Sequence, residues 1–169
     1  MHVLDTERLS LRHLNLDDAD FILRLVNEPS WLEFIGDKGV RDLDGARKYL
    51  TDGPMAMYAQ HGFGLYAVTP REGSAPIGMC GLIKRDSLPD VDIGYAFFPE
   101  HAGKGYASEA VTATIEHARR DFGMKRLLGI TSPNNVGSIR VLEKAGFAFE
   151  RSLEITPGAM PTSIYARDL

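Results

Sequence analysis

The sequence is poor in residues that signal special chemistry by themselves. Only one of its 169 residues is cysteine, Cys80, so no disulfide can close within the chain. The five histidines, His2, His13, His61, His101 and His117, are scattered, so no Cys/His cluster has zinc spacing and no metal is expected. Long apolar runs are missing too. The longest stretch without Asp, Glu, Lys or Arg is Gly53–Pro70, which holds Pro54, Gln60, His61 and three glycines and does not read as a membrane span. Met1–Arg12 lacks the apolar centre of a signal peptide. Basic charge is not in excess: 19 Lys+Arg stand against 23 Asp+Glu, a net charge of −4. That balance points to no nucleic-acid partner, yet it leaves room for a local basic pocket holding a small polyanion. The expectation is a cytoplasmic protein with no membrane partner.

What remains is a globular composition, 44% hydrophobic and 25% charged. The length suits one domain spanning residues 1–169, and no repeat or linker divides it. Arg8–His13 alternates like a strand. Leu16-Asp17-Asp18 opens a helix with Phe21, Ile22, Leu25 and Val26 on one face, which Pro29 is expected to close. Ser30–Arg41 is mixed. Asp42 or Asp44 starts a second helix, ending near Gly53. Gly64–Thr69, Ile77–Lys84 and Val91–Phe98 are strand-like and joined by short turn clusters, as in an antiparallel meander. Ala107–Phe122 has helical spacing up to Gly123. Arg126–Thr131 reads as a buried strand, Gly137–Lys144 as a short helix, and Phe147–Leu153 and Ser163–Ala166 as closing strands. The crossover from Val91 to Thr131 adds one parallel pair to a mixed sheet. The fold class is α/β of the α+β type: a largely antiparallel twisted sheet flanked by helices.

The most informative segment is Phe97-Phe98-Pro99-Glu100-His101-Ala102-Gly103-Lys104-Gly105-Tyr106-Ala107-Ser108. A strand runs into a glycine-rich loop, and the loop opens a helix. Backbone N–H groups turned toward one point, at the positive end of a helix, make an anion site suited to phosphate. A Walker A loop fails here, because Phe98 stands where its first glycine belongs and Gly105 follows Lys104. A dinucleotide fingerprint fits Gly103 and Gly105 but meets Ser108 at its third glycine.

A third motif fits best. The segment resembles the pyrophosphate loop of the GNAT N-acetyltransferase superfamily: Gln or Arg, two residues, Gly, one residue, then Gly or Ala. Gly105 and Ala107 match, while Ala102 departs and removes one side-chain contact. Asn135-Val136-Gly137-Ser138, followed by Glu143-Lys144-Ala145-Gly146-Phe147, resembles a second block of the family. Thr6-Glu7-Arg8-Leu9-Ser10-Leu11-Arg12 with Asp17-Asp18-Ala19 resembles the opening of the RimJ/RimL-like branch.

The resemblance implies acetyl-CoA as cosubstrate and a primary amine as acceptor, without a covalent enzyme intermediate. Pantetheine is expected between splayed strands Val91–Phe98 and Arg126–Thr131, against unpaired backbone near Phe97 and Phe98. Amides near Phe98 are expected to polarise the thioester carbonyl. Ala102, Gly103, Lys104, Gly105, Tyr106, Ala107 and Ser108 form the expected cofactor loop, with Asn135 and Ser138 contributing from the second block. Asp92 is the candidate base; its other reading is a surface carboxylate between buried Val91 and Ile93. Many relatives place a tyrosine acid where Leu142 stands, so Ser138 becomes the candidate acid or thiolate partner, or else a helix-start serine without chemical role. Asn135 also suits an N-cap. Arg119 and Arg120 read as helix-end charges, and Cys80 as a small buried residue. Trp31, Phe34, Tyr58, Phe63 and Tyr66 wall an acceptor pocket or fill the core, and Asp37 lies in a loop suited to an acceptor cation. The rival classes are a non-catalytic CoA sensor and a nucleotide enzyme. The expected state is monomer or homodimer.

Overall fold

The computed structural model describes residues 1–154, 157–158 and 160–169. One eight-stranded sheet organises them. Its strands are β1 (His2–Asp5), β2 (Leu9–His13), β3 (Leu65–Pro70), β4 (Gly78–Ile83), β5 (Asp92–Phe97), β6 (Arg126–Thr131), β7 (Ala148–Leu153) and β8 (Thr162–Asp168). They lie in the order β1-β2-β3-β4-β5-β6-β8-β7. Every neighbouring pair is antiparallel except β5 and β6. The helices are α1 (Ala19–Leu25), α2 (Pro29–Phe34), α3 (Leu43–Leu50), α4 (Ala56–His61), α5 (Tyr106–Phe122) and α6 (Val136–Lys144). The mixed, largely antiparallel sheet with one parallel pair is the architecture expected from the residue pattern.

Helices cover both faces of the sheet centre, which is why β4 reads as a nearly unbroken apolar run rather than an alternation. On one face Leu9, Leu11, Val68, Leu82 and Ile93 pack against Ala110, Val111, Ile115 and Ala118 of α5. On the other, Ala67 and Met79 pack against Ile22 and Leu25 of α1 and Ala46 and Leu50 of α3. Each of the leucine, isoleucine, valine and methionine side chains stabilises the fold by about 1.5–3 kcal/mol when buried, so these two clusters hold the sheet in place. Cys80 lies in the α5 core, 3.3 Å from the Thr114 hydroxyl, which itself donates to the Ala110 carbonyl. Burial pushes the Cys80 thiol up to about 12. It is a core residue, as expected. Trp31, Phe63 and Tyr66 are also buried in the two cores. Asp37 sits on the surface, paired with Arg41.

Four features differ from the sequence expectations or lie outside them. β1 is a short, charged strand that forms only by pairing with β2. Pro29 does not close a helix but opens α2, at a position where its missing N–H breaks no helical bond. The helix capped by Asp42 does not end near Gly53. It passes through a wide π turn, Thr51–Met55, that accommodates the buried Pro54, and continues as α4. Finally, β8 inserts between β6 and β7.

Candidate active site

β5 and β6 share only the register pairs Asp92/Leu128 and Ile93/Gly129 before they part. Each stays paired on its outer side, β5 with β4 through Phe97 and β6 with β8 through Thr131. A V-shaped opening results. Alternate residues of a strand aim their backbone polar groups at opposite edges. The Phe98 N–H donates to the Ile77 carbonyl at 3.0 Å. Tyr95 and Phe97 therefore face the opening, beyond the last paired residue of β5. This corrects the expectation for Phe98. Its amide is committed to the strand edge, and its ring, 3% exposed, packs in the α1–α3 core.

At the mouth of the V, a 3-10 turn, Pro99–His101, leads through Ala102 to Gly103 and Gly105. Both glycines are left-handed, φ +76° and +80°, a conformation that costs other residues about 1–2 kcal/mol. Gly105 is the N-cap of the 17-residue α5, and no side chain caps that end. Among the described residues, no carbonyl or side chain accepts from the N–H groups of Gly103 through Ser108 at hydrogen-bonding geometry. These donors gather at the positive end of the helix, so the loop is built to receive a phosphate. The side chain of Lys104 is exposed at the loop, and the Tyr106 ring stacks under Arg8.

Two arginines, not singled out in the sequence, hold the loop. Arg8 donates to the Lys104 carbonyl at 2.8 Å and to Glu109 at 2.7 Å, and its guanidinium lies 4.6 Å from the Tyr106 ring centre. The Arg8 N–H and the Thr6 hydroxyl also donate to Glu109. Partial burial opposes ionisation of Glu109, but these donors outweigh it and hold the carboxyl below its usual range. Arg24 of α1 pairs with Glu100 at 2.8 Å and covers the Phe98 ring at 4.0 Å. An open groove lined by Arg8, Gly105, Ser108, Thr112 and Lys144 runs beside the cradle.

Across the V, α6 is capped by Asn135, whose side-chain oxygen accepts from the Ser138 N–H at 3.2 Å. The N-cap expectation is met, and no described residue partners the Asn135 Nδ2. Ser138 faces β5: its hydroxyl lies 2.8 Å from the Tyr95 hydroxyl, which also donates to the Ser138 carbonyl at 3.0 Å. Leu142 does not reach the opening. It is 1% exposed and fills the space above Gly129, where an added Cβ would come within 2.6 Å of it.

Asp92 stands at the closed end of the V and is fully buried, so the surface-carboxylate reading does not hold. Its neighbour Ile93 belongs to the α5 core, so the Asp92 side chain points to the opposite face of the sheet. One oxygen accepts from Arg85 Nε at 2.9 Å; the other has no hydrogen-bond partner among the described residues. Burial pushes the Asp92 carboxyl up, an effect that Arg85 only partly offsets. Ser138 and Asp92 thus flank the parallel pair from opposite faces.

Comparison with known proteins agrees with this geometry. Residues 8–148 match the sequence family described as the acetyltransferase (GNAT) domain. A Bacillus licheniformis protein named N-acetyltransferase p20 is 29% identical over 154 residues, 89% of this chain and 84% of that protein. A solved acetyltransferase from Agrobacterium tumefaciens superimposes with a TM-score of 0.81 at 25% identity, covering 97% of this chain and 92% of that one. RimL, titled a ribosomal L7/L12 alpha-N-protein acetyltransferase, was solved with coenzyme A joined to a cysteine by a disulfide. It reaches a TM-score of 0.84 over 100% of this chain and 98% of its own, and at 19% identity that likeness speaks for the fold.

Proposed function

The chain belongs to the GNAT acetyltransferase family, an acetyl-CoA-dependent acyltransferase family, and on that premise we propose that it acetylates a primary amine by direct attack. The acceptor is a protein N-terminal α-amine, as in the RimJ/RimL-like branch, or a small-molecule amine. Residues 1–169 act as one domain. The observation that carries this reading is the row of free N–H groups from Gly103 to Ser108, set at the mouth of a cleft whose strands have just parted.

These groups fit the cosubstrate. The N–H groups of Gly103–Ser108 suit a pyrophosphate, with Ala102 contributing no side-chain polar group and Lys104 adding charge at the rim. The free backbone of Tyr95 and Phe97 and the Asn135 Nδ2 suit the amides of a pantetheine arm. Acetyl-CoA supplies the acyl group as an activated thioester. Asp92 accepts the amine proton, directly or through water, because its unpartnered oxygen is a ready acceptor and its raised pKa lies closer to that of the donor. Ser138 donates a hydrogen bond to the sulfur on the other face. The Phe97 N–H, rather than that of Phe98, polarises the acyl carbonyl.

The test is a panel of amines, including N-terminal peptides and polyamines, assayed for thiol release from acetyl-CoA. Thermal melts with acetyl-CoA, CoA, ATP and NAD accompany it. A ligand at about 100 times its dissociation constant adds about 2.7 kcal/mol of stability, a shift of several degrees. Stabilisation by acetyl-CoA and CoA alone, with turnover of at least one amine, is the expected result. Stabilisation without turnover of any amine would favour a CoA-binding sensor instead, and no stabilisation by acetyl-CoA would overturn the cradle.

A further inference from the structure

We infer that Tyr95 is the positioning residue that aims the Ser138 hydroxyl hydrogen at the departing sulfur. The inference rests on the acetyl-transfer reading above and deepens it. Tyr95 lies on β5 two residues past Ile93, the last residue of β5 paired with β6. Its ring packs against the α5 core. Its hydroxyl crosses the opening to a residue 43 positions away, 2.8 Å from Ser138 Oγ and 3.0 Å from the Ser138 carbonyl oxygen.

The hydrogen count decides what this pair can do. A phenol and a serine hydroxyl each carry one hydrogen. When Tyr95 donates to the Ser138 carbonyl, it accepts the serine hydrogen, and the pair offers none to the cleft. When Tyr95 donates to Oγ, the serine hydrogen is released toward the cleft. The two arrangements differ by rotation of two hydroxyl hydrogens, and no heavy atom moves. Negative charge building at sulfur selects the second.

Burial pushes the Tyr95 phenol well above its usual value, so it keeps its hydrogen at any working pH. Tyr95 therefore donates without ionising. In the step, the amine lone pair forms the C–N bond and the C–S electron pair passes to sulfur. The amine proton goes to Asp92 or water. Ser138 donates to sulfur and Tyr95 donates to Ser138; neither gives up its proton, and water protonates the thiolate on release.

The experiment uses the full chain as wild type, Tyr95→Phe, Ser138→Ala and the double variant, each loaded with CoA. The thiol of bound CoA is titrated by its ultraviolet thiolate absorbance, which needs no acceptor amine. The dissociation constant of CoA at neutral pH and kcat with the best amine of the panel are measured alongside. Each single variant is expected to raise the bound thiol's pKa by about one unit, a tenfold loss of thiolate stabilisation. The double variant is expected to match Ser138→Ala, the dissociation constant to stay within about twofold, and kcat to fall about tenfold, one unit's worth of thiolate stabilisation. Should Ser138→Ala shift the titration while Tyr95→Phe does not, the Tyr95 inference is overturned and the Ser138 role stands. A Ser138→Ala variant that titrates like wild type overturns the serine role and the tyrosine role together. Additive shifts in the double variant show Tyr95 acting independently and overturn positioning. Tyr95→Met, which fills the same space without a hydroxyl, carries the same expectation if the phenylalanine variant does not fold.

Discussion

Arg85 holds Asp92 by a single contact, Nε to Oδ1 at 2.9 Å, and leaves Oδ2 buried with no partner among the described residues. A purely structural ion pair gains most when both carboxylate oxygens are used, as in a two-pronged arginine contact. Here one oxygen fixes the carboxylate, and on the proposed reading the other is the atom that would accept from an incoming donor. Arg85 and Lys84 are the cations that act on it.

Asp92→Asn is expected to lower kcat about 10²–10⁴-fold, the usual worth of a general base. Thermal stability at neutral pH should hold or rise, because the variant removes a buried charge. The pH dependence has a definite sign. The folded pKa of Asp92 lies above 3.8, so the fold binds this proton more tightly than the unfolded chain does. The cost of the charge is present at neutral pH and disappears as pH falls through the raised value toward 3.8. The stability gap between variant and wild type should narrow over that window in melts across pH. Activity of the wild type should fall over the same window.

The two loop glycines separate strain from crowding. An added Cβ at Gly103 meets nothing within 4 Å, whereas at Gly105 it meets Arg8 Nη2 at 3.3 Å. Gly103→Ala and Gly105→Ala should each lose about 1–2 kcal/mol of stability from the left-handed backbone. Gly105→Ala should in addition push the Arg8 guanidinium aside by a few tenths of an ångström, straining its contact with the Lys104 carbonyl. Calorimetric binding of acetyl-CoA is expected to weaken more for Gly105→Ala than for Gly103→Ala.

Glu109 spends its side-chain hydrogen bonds on Arg8 and Thr6, and so anchors the arginine that holds the Lys104 carbonyl. Glu109→Gln should raise KM for acetyl-CoA several-fold and leave kcat at saturation unchanged. The difference from wild type should shrink in high salt, which screens the partly exposed Arg8–Glu109 pair. Steady-state kinetics at two ionic strengths check both points.

Tyr66→Phe provides a contrast away from the cleft. The Tyr66 hydroxyl meets buried His117 Nε2 at 3.0 Å, and His117 Nδ1 meets Asp121 at 2.6 Å. Removing the hydroxyl leaves a buried ring nitrogen unpaired, at a cost of about 1–3 kcal/mol. Denaturant unfolding should show that loss, while acetyl-CoA affinity stays at the wild-type value.

The parts legible in the sequence are those fixed by short-range pattern. The apolar spacing of α5, the alternation of β2, the Asn135 cap and the glycine loop each act within a few residues. What escaped depends on partners far along the chain. Arg8 meets the loop 96 positions later, Arg24 meets Glu100 76 positions later, and Tyr95 meets Ser138 43 positions later. No local signal marks such pairs. Pro29 misled, and the helix expected to end near Gly53 ran on, for a related reason: such residues mark a break in the hydrogen-bond ladder, but tertiary packing decides whether the chain starts a helix there or carries one through a wider turn. Arg85 is the exception, only seven residues from Asp92, and its charge beside a strand-start aspartate was a readable cue.

Cys80, sealed between β4 and α5, governs how turnover can be watched. It is the chain's one thiol, and burial keeps it protonated and out of reach of bulky reagents. A thiol-reactive dye will therefore report released CoA with almost no protein background. The same burial spares the product a trap, since the chain's one cysteine is sealed away from any CoA thiol. Oxidising conditions should leave the site open from one cycle to the next.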